Sequence, residues 1–443
     1  MEDAHDIPVQ KEIFYGEETK KALANFALNY KETNLKLIYA IVKVKKAAAK
    51  TYSKLGTGKE GVYKTVVKAC DRILSGAYNE QFIVDALQGG AGTSANMNVN
   101  EVLAALTEEI WMEEGKERIL IHPLDDVNRG QSTNDVYPTA LRIAAIDLLR
   151  ELSDSCAKLQ QALQLKEREY EGIKKLGRTE LMDAIPITLG EEFGAYAQAV
   201  ARDRWRLYKV EERLRQVNLG GTAVGNASNA DRKYRFMVIE ELREITGMGL
   251  AAAEYPMDIT QNNDVFVEVS GLLKALAVNL MKISGDLRLM NSGPYGGLGE
   301  IHLKPLQAGS TIMPGKVNPV IPEMVTQVAM KVMANDYAIT MAASRGEFEL
   351  NAFLPLIADS LLESLMILQR AVELFRSRCI EVMEPDKERC EALLEGSYAF
   401  ATAYTRVLGY DKVRDIITQH KAPQAVKKAL EEEMDEFLKN NLS

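Results

Sequence analysis

VFVEVSGLLKALAVNLMKISGDL, residues 265–287, is the stretch whose reading decides the fold. Its apolar residues fall at Val265, Val269, Leu272, Leu273, Leu276, Leu280, Ile283 and Leu287, the spacing of one face of an α-helix. At a rise of ~1.5 Å per residue the pattern predicts a helix roughly 35 Å long. Four further patterns of this kind run over about 138–169, 188–217, 322–343 and 355–382. Helices of that length bury their apolar faces best against one another, so the expected fold is mainly α, with a central five-helix bundle. No repeat with a period of 34 to 47 residues supports a solenoid instead.

Composition agrees. The chain has 443 residues, 47% hydrophobic and 26% charged, as in an ordinary globular protein. With 13 Pro and 30 Gly it has too few turn formers for a many-stranded all-β chain. A net charge of −9 sets it apart from nucleic-acid binders, which need a concentrated basic surface. No run of ~18 uncharged apolar residues predicts a membrane span, and the opening MEDAHDIPVQKE lacks the apolar stretch of a signal peptide. The cysteines (Cys70, Cys156, Cys379, Cys390) are too scattered for a disulfide framework, and the histidines (His5, His122, His302, His420) have no metal-ligand spacing. Reduced thiols, a cytoplasmic location, and no metal or organic cofactor are therefore expected. Shorter helical stretches mark an N-terminal domain over 1–134, the long helices a central domain over 135–385, and a charged tail a small helical domain over 386–443. No linker rich in Pro, Gly or Ser separates them.

Three stretches are polar where their surroundings are not: Gly92-Thr93-Ser94-Ala95-Asn96-Met97-Asn98, Gln131-Ser132-Thr133-Asn134-Asp135, and Gly309-Ser310-Thr311-Ile312-Met313-Pro314-Gly315-Lys316-Val317-Asn318-Pro319. Helix capping explains the first two equally well when each is taken alone. Together, hydroxyls, amides, helix N-termini and one Lys are groups that bind a small dicarboxylate.

The third stretch resembles the signature loop of the aspartase/fumarase superfamily, G-S-S-x-M-P-x-K-x-N-P, with Thr311 as its second hydroxyl residue. The other two stretches resemble that family's remaining motifs in order and separation. Gln88-Gly89-Gly90-Ala91-Gly92-Thr93 and Val317-Asn318-Pro319-Val320-Ile321-Pro322-Glu323 look most like the aspartate ammonia-lyase branch. The resemblance implies a three-domain lyase subunit in a homotetramer, with a core of about twenty helices and each active site shared between three subunits. It implies elimination of ammonia from L-aspartate to give fumarate through an enediolate, with Ser310 as the general base. Thr93, Ser132, Thr133 and Thr311 would hold the carboxylate that becomes the enediolate. Lys316 and Asn318 would hold the other carboxylate, and Asn134 would reach the amino group with Thr179 nearby. An unperturbed Ser is too weak an acid for this role, so the loop's N–H groups and Lys316 would have to stabilise its oxyanion.

The chain also departs from its family. In Gly177-Arg178-Thr179-Glu180-Leu181-Met182-Asp183-Ala184, Glu180 stands where the family carries His or Gln. The family's His pairs with a Glu matching Glu323, so two carboxylates would share a site, which calls for a cation between them. A substrate ammonium is one candidate; alternatively, Glu180 turns away from the site and pairs with an Arg. Tyr295-Gly296-Gly297-Leu298-Gly299-Glu300 replaces R-T-G-L-N-E, so Tyr295 either faces a bulky or cationic substituent or packs at a subunit interface. These changes keep open a lyase for another amino acid, including one with a substituted amine, ahead of a fumarate hydratase. A purely structural tetramer would have no need of Ser310, Lys316 and Asn318.

Overall fold

The apolar stripes fold as helices in the computed structural model, which describes residues 13–441. Helices α1 (Glu17–Asn25), α2 (Leu35–Leu55), α3 (Val62–Leu74) and α4 (Thr93–Glu113) come first. The long α5 (Thr133–Glu169) and α6 (Leu189–Leu214) flank a hairpin of β1 (Lys174–Thr179) and β2 (Met182–Thr188). After α7 (Arg232–Thr246) and α8 (Pro256–Gln261) come the long α9 (Asp264–Met290), α10 (Val320–Ala343) and α11 (Leu354–Phe375). The short α12 (Lys387–Glu395), α13 (Thr405–Leu408) and α14 (Tyr410–Gln419) precede α15 (Pro423–Asn441). Two further strand pairs are only two residues long: β3 (Gln216–Val217) runs parallel to β4 (Ala251–Ala252), and β5 (Ile301–His302) antiparallel to β6 (Glu384–Pro385). The mainly α class and all five long helices are as the sequence predicts. No helix among the described residues is long and apolar enough to cross a membrane.

The described residues gather into two compact units. One comprises those up to Leu152 with Arg206–Lys274 and Lys331–Ile367; the other comprises Ser153–Trp205, Ala275–Met330 and those from Leu368 onward. Each long helix has residues in both. On α9 the first unit buries Phe266, Val269 and Leu273, and the second buries Leu276, Leu280, Ile283 and Leu287. Val265 and Leu272 are only half-buried, and Phe266 takes the core position beside them.

The start of α5 differs from the sequence expectation. The helix begins at Thr133, five residues before Pro138. Pro138 has no N–H to offer the Asn134 carbonyl one turn back, which usually ends a helix. Here the Asn218 side chain fills the gap, donating from Nδ2 to Asn134 O at 3.0 Å. Thr133 and Asn134 thereby enter the first helical turn. The hairpin's far end is fixed by a capping box: Thr188 N–H donates to Glu191 Oε2 at 2.7 Å, and Glu191 N–H to Thr188 Oγ1 at 3.1 Å.

Leu276 is fully buried, and truncating such a side chain leaves a cavity. Leu276→Ala should lower stability by about 2–5 kcal/mol, read as a lower urea midpoint with an unchanged slope.

Candidate active site

In the first unit the candidate residues sit at helix starts. Thr93 is the first residue of α4, behind Gly92 at φ 93°. Gly92 has to be glycine twice over: its φ is left-handed, and a Cβ there would overlap the Tyr137 ring. Thr93 Oγ1 donates to Gly90 O at 2.6 Å. Ser132 caps α5, its Oγ accepting from Asn134 N–H at 3.2 Å, while its own N–H donates to Asp135 Oδ1 at 2.9 Å. Asp135 Oδ2 also accepts from Gly220 N–H (3.0 Å) and Thr222 N–H (2.9 Å), mooring the Gly220-Gly221-Thr222 loop to the helix start. Asn134 Nδ2 donates to Ala223 O in the same loop at 2.7 Å. Burial pushes the Asp135 carboxyl up to about 6, against the pull of these three N–H groups and of Lys45.

Lys45, Asn96, Asn128 and Asp135 have no assigned role in the sequence reading, yet they support these residues from behind. Lys45 is buried on α2, with Nζ 2.6 Å from Asn128 Oδ1 and 3.0 Å from Gln131 Oε1. Asn96 Nδ2 reaches Thr133 Oγ1 at 3.1 Å. Burial pulls the Lys45 ammonium down to about 7, with Asp135 opposing. A sequence signal exists: Ile38, Ile41, Lys45, Ala48 and Tyr52 follow helical spacing, so Lys45 interrupts a core stripe.

In the second unit, the loop from Gly309 to Asn318 closes on itself. Asn318 Nδ2 donates to Gly309 O at 2.7 Å, and Lys316 N–H to Met313 O at 3.3 Å. A Cβ on Gly309 would overlap Lys316 O, so only glycine permits this closure. Inside the loop, Ser310 Oγ accepts from two backbone donors, Ile312 N–H at 3.2 Å and Met313 N–H at 3.0 Å. Thr311 and Lys316 are exposed. Lys316 makes no ion pair among the described residues. Asn318 commits one amide N–H to the loop. Glu323 lies in the first turn of α10, with Oε1 4.0 Å from Arg288 Nη2.

Thr179 and Glu180 lie at the exposed tip of the β1–β2 hairpin, where Thr179 pairs with Met182. The two-residue turn between the strands places Glu180 at φ 53° and Leu181 at φ 66°. Such turns favour Asn-Gly, so a Glu-Leu pair carries strain. Glu180 makes no ion pair among the described residues. The hairpin root is held firmly: Lys175 Nζ lies 2.8 Å from Glu192 and 3.1 Å from Glu300, and Arg178 lies 2.8 Å from Glu300. Tyr295 is 96% exposed, free for either of its expected roles.

A lyase family model matches residues 6–334. Aspartate ammonia-lyase from Pseudomonas aeruginosa is 44% identical over 408 residues, 91% of this chain and 86% of that protein. Among solved structures, fumarate lyase:delta crystallin from Brucella melitensis superposes with a TM-score of 0.90 at 43% identity, covering 96% of this chain and 95% of that one. A class II fumarase from Schistosoma mansoni superposes with a TM-score of 0.91 at 30% identity, covering 97% and 95%. The chain therefore belongs to the lyase family of the aspartase/fumarase superfamily, in its aspartate ammonia-lyase branch. It is a carbon–nitrogen lyase.

Two outcomes follow from this geometry. Gly309→Ala should lower kcat/KM about 100-fold, the order of loss when catalytic groups are misplaced, with the thermal midpoint unchanged. For Lys45 the sign is fixed by its lowered pKa. Between about pH 7 and 10.5 the unfolded chain binds more protons than the folded one, so this residue makes stability rise with pH. Lys45→Met should flatten that rise, measured as thermal midpoints at pH 7 and 9.5.

Proposed function

We propose that this enzyme eliminates ammonia from L-aspartate to give fumarate, with Ser310 as the general base. The observation that carries this reading is the pair of backbone N–H groups on Ser310 Oγ. A free serine hydroxyl is far too weakly acidic to serve as an alkoxide near neutral pH. Two preorganised donors aimed at the oxygen favour its ionised form, as an oxyanion hole favours a developing charge. The Ser310 alkoxide takes the proton from the carbon beside the substrate's side-chain carboxylate. The electron pair moves onto that carboxylate, forming the enediolate. It then returns to form the C=C bond as the C–N bond breaks and ammonia leaves.

Thr93, Ser132, Thr133 and Thr311 supply hydroxyls to the enediolate, Lys316 and Asn318 hold the second carboxylate, and Asn134 and Thr179 lie toward the amino group. Glu180 and Glu323 flank the leaving group, and the substrate ammonium neutralises Glu180. The functional form is a homotetramer with a core of about twenty helices, each site drawing on three subunits. Large apolar side chains exposed on α6 (Trp205, Tyr208) and α10 (Met330, Tyr337, Met341) support such an assembly. A cytoplasmic setting is supported by four unpaired, buried cysteines; burial pushes Cys156, Cys379 and Cys390 up to about 12, so they are unreactive thiols. The proposed domains are 1–134, 135–385 and 386–443.

Glu180 favours one second reading, an amino acid other than aspartate or one with a substituted amine. Absorbance of the new C=C bond across aspartate, malate and a panel of amino acids separates the readings; turnover of aspartate with ammonia release supports the first. Ser310→Ala should lower kcat by about 10³-fold, within the usual range for loss of a general base, with assembly intact. A variant keeping more than about a tenth of the parent kcat overturns the base assignment. Glu180→Gln should lower kcat with a changed pH profile; full activity at every pH removes Glu180 from the site.

A further inference from the structure

Hydrogen-bond polarity behind Thr133 is dictated by one side chain. The Lys45 ammonium can only donate. Its Nζ meets Asn128 Oδ1 at 2.6 Å and Gln131 Oε1 at 3.0 Å, so Asn128 presents oxygen toward it. Asn128 Nδ2 faces the other way, donating to Gln131 O at 3.2 Å. Asn96 Nδ2 and Asn100 Nδ2 both approach that same Asn128 oxygen, each at 3.3 Å. Each must therefore present nitrogen there. The Asn96 nitrogen also meets Thr133 Oγ1 at 3.1 Å, inside the protein. Thr133 thus accepts on its inner side, and its own proton is left to donate outward. Burial pulls Lys45 toward the neutral amine, but that form still has two N–H donors, one for each of its two acceptors.

We propose that Lys45, Asn128 and Asn96 are positioning residues, a buried polar relay that fixes the direction of the Thr133 hydroxyl so that its proton always points at a substrate carboxylate. This rests on the reading that Thr133 binds a carboxylate. The benefit is preorganisation: a hydroxyl free to rotate could turn its proton inward and present lone pairs to an anion. With the inner side occupied by a donor, that orientation is closed before substrate arrives. Asn96 touches no substrate in this scheme, and its whole effect passes through Thr133.

The test is a double-mutant cycle on the full-length tetramer with L-aspartate, comparing the parent, Asn96→Ala, Thr133→Val and the double variant. Asn96→Ala should lower kcat/KM about three- to tenfold, the net worth of one hydrogen bond, and add nothing in the Thr133→Val background. Asn96→Asp should lose more than Asn96→Ala, because a carboxylate only accepts and draws the Thr133 proton inward. If Asn96 variants fail to assemble, Asn128 carries the test. Asn128→Asp keeps the acceptor facing Lys45 and should lose less than Asn128→Leu. An Asn96→Ala loss of the same size in the Thr133→Val background overturns the relay, as does no loss in the parent, or equal losses from the two Asn128 variants. If Thr133→Val costs nothing while Ser310→Ala abolishes turnover, the carboxylate role of Thr133 fails, and the relay with it.

Discussion

A helix N-terminus carries unsatisfied N–H groups and roughly half a positive charge, and this constraint organises the chemistry-bearing part of the chain. Thr93 opens α4, Ser132 and Thr133 open α5, and Asn318 lies two residues before α10. Under the proposed function, the two carboxylates of the substrate meet hydroxyls and amides at these positive helix ends. The long helices are therefore more than filler. Their core faces, such as Leu276, Leu280 and Ile283 on α9, are buried and anchor the helices whose first turns carry these residues.

Other candidate residues lie on a loop and a hairpin rather than at helix starts. The Ser310 loop is closed by Asn318 and permitted by Gly309, and it leaves Thr311, Ile312 and Met313 exposed. The hairpin tip holds two non-glycine residues at left-handed φ, and its root is tied by ion pairs among Lys175, Arg178, Glu192 and Glu300.

Much of this was legible from residues alone. The five long helices follow from apolar spacing, and the Ser310 loop from its motif. The start of α5 was not legible, because Pro138 reads as a beginning when nothing nearby announces that Asn218 will supply the missing donor eighty residues later. Asp135 and Asn96 sit inside the quoted polar stretches but read as caps. Lys45 lies in the run AIVKVKKAAAK, where a single lysine on an apolar stripe is easily taken for a solvated neighbour. The partition into two compact units was also hidden. Thr93, Ser132, Thr133 and Asn134 fall in one, and Thr179, Glu180, Ser310, Lys316, Asn318 and Glu323 in the other. Contacts between residues far apart in sequence, rather than local pattern, decide that division.

The central claim is that hydroxyls at the starts of α4 and α5 act on the same substrate as Ser310 supplied by a different copy of the chain. Mixing subunits tests it directly. Ser310→Ala and Thr133→Val proteins, each weaker than the parent, would be dissociated together, reassembled and assayed for fumarate formation. If sites are shared, hybrids contain some with both Ser310 and Thr133 intact, and activity returns well above that of either parent. Hybrid tetramers that form yet stay as weak as their parents would contradict the account.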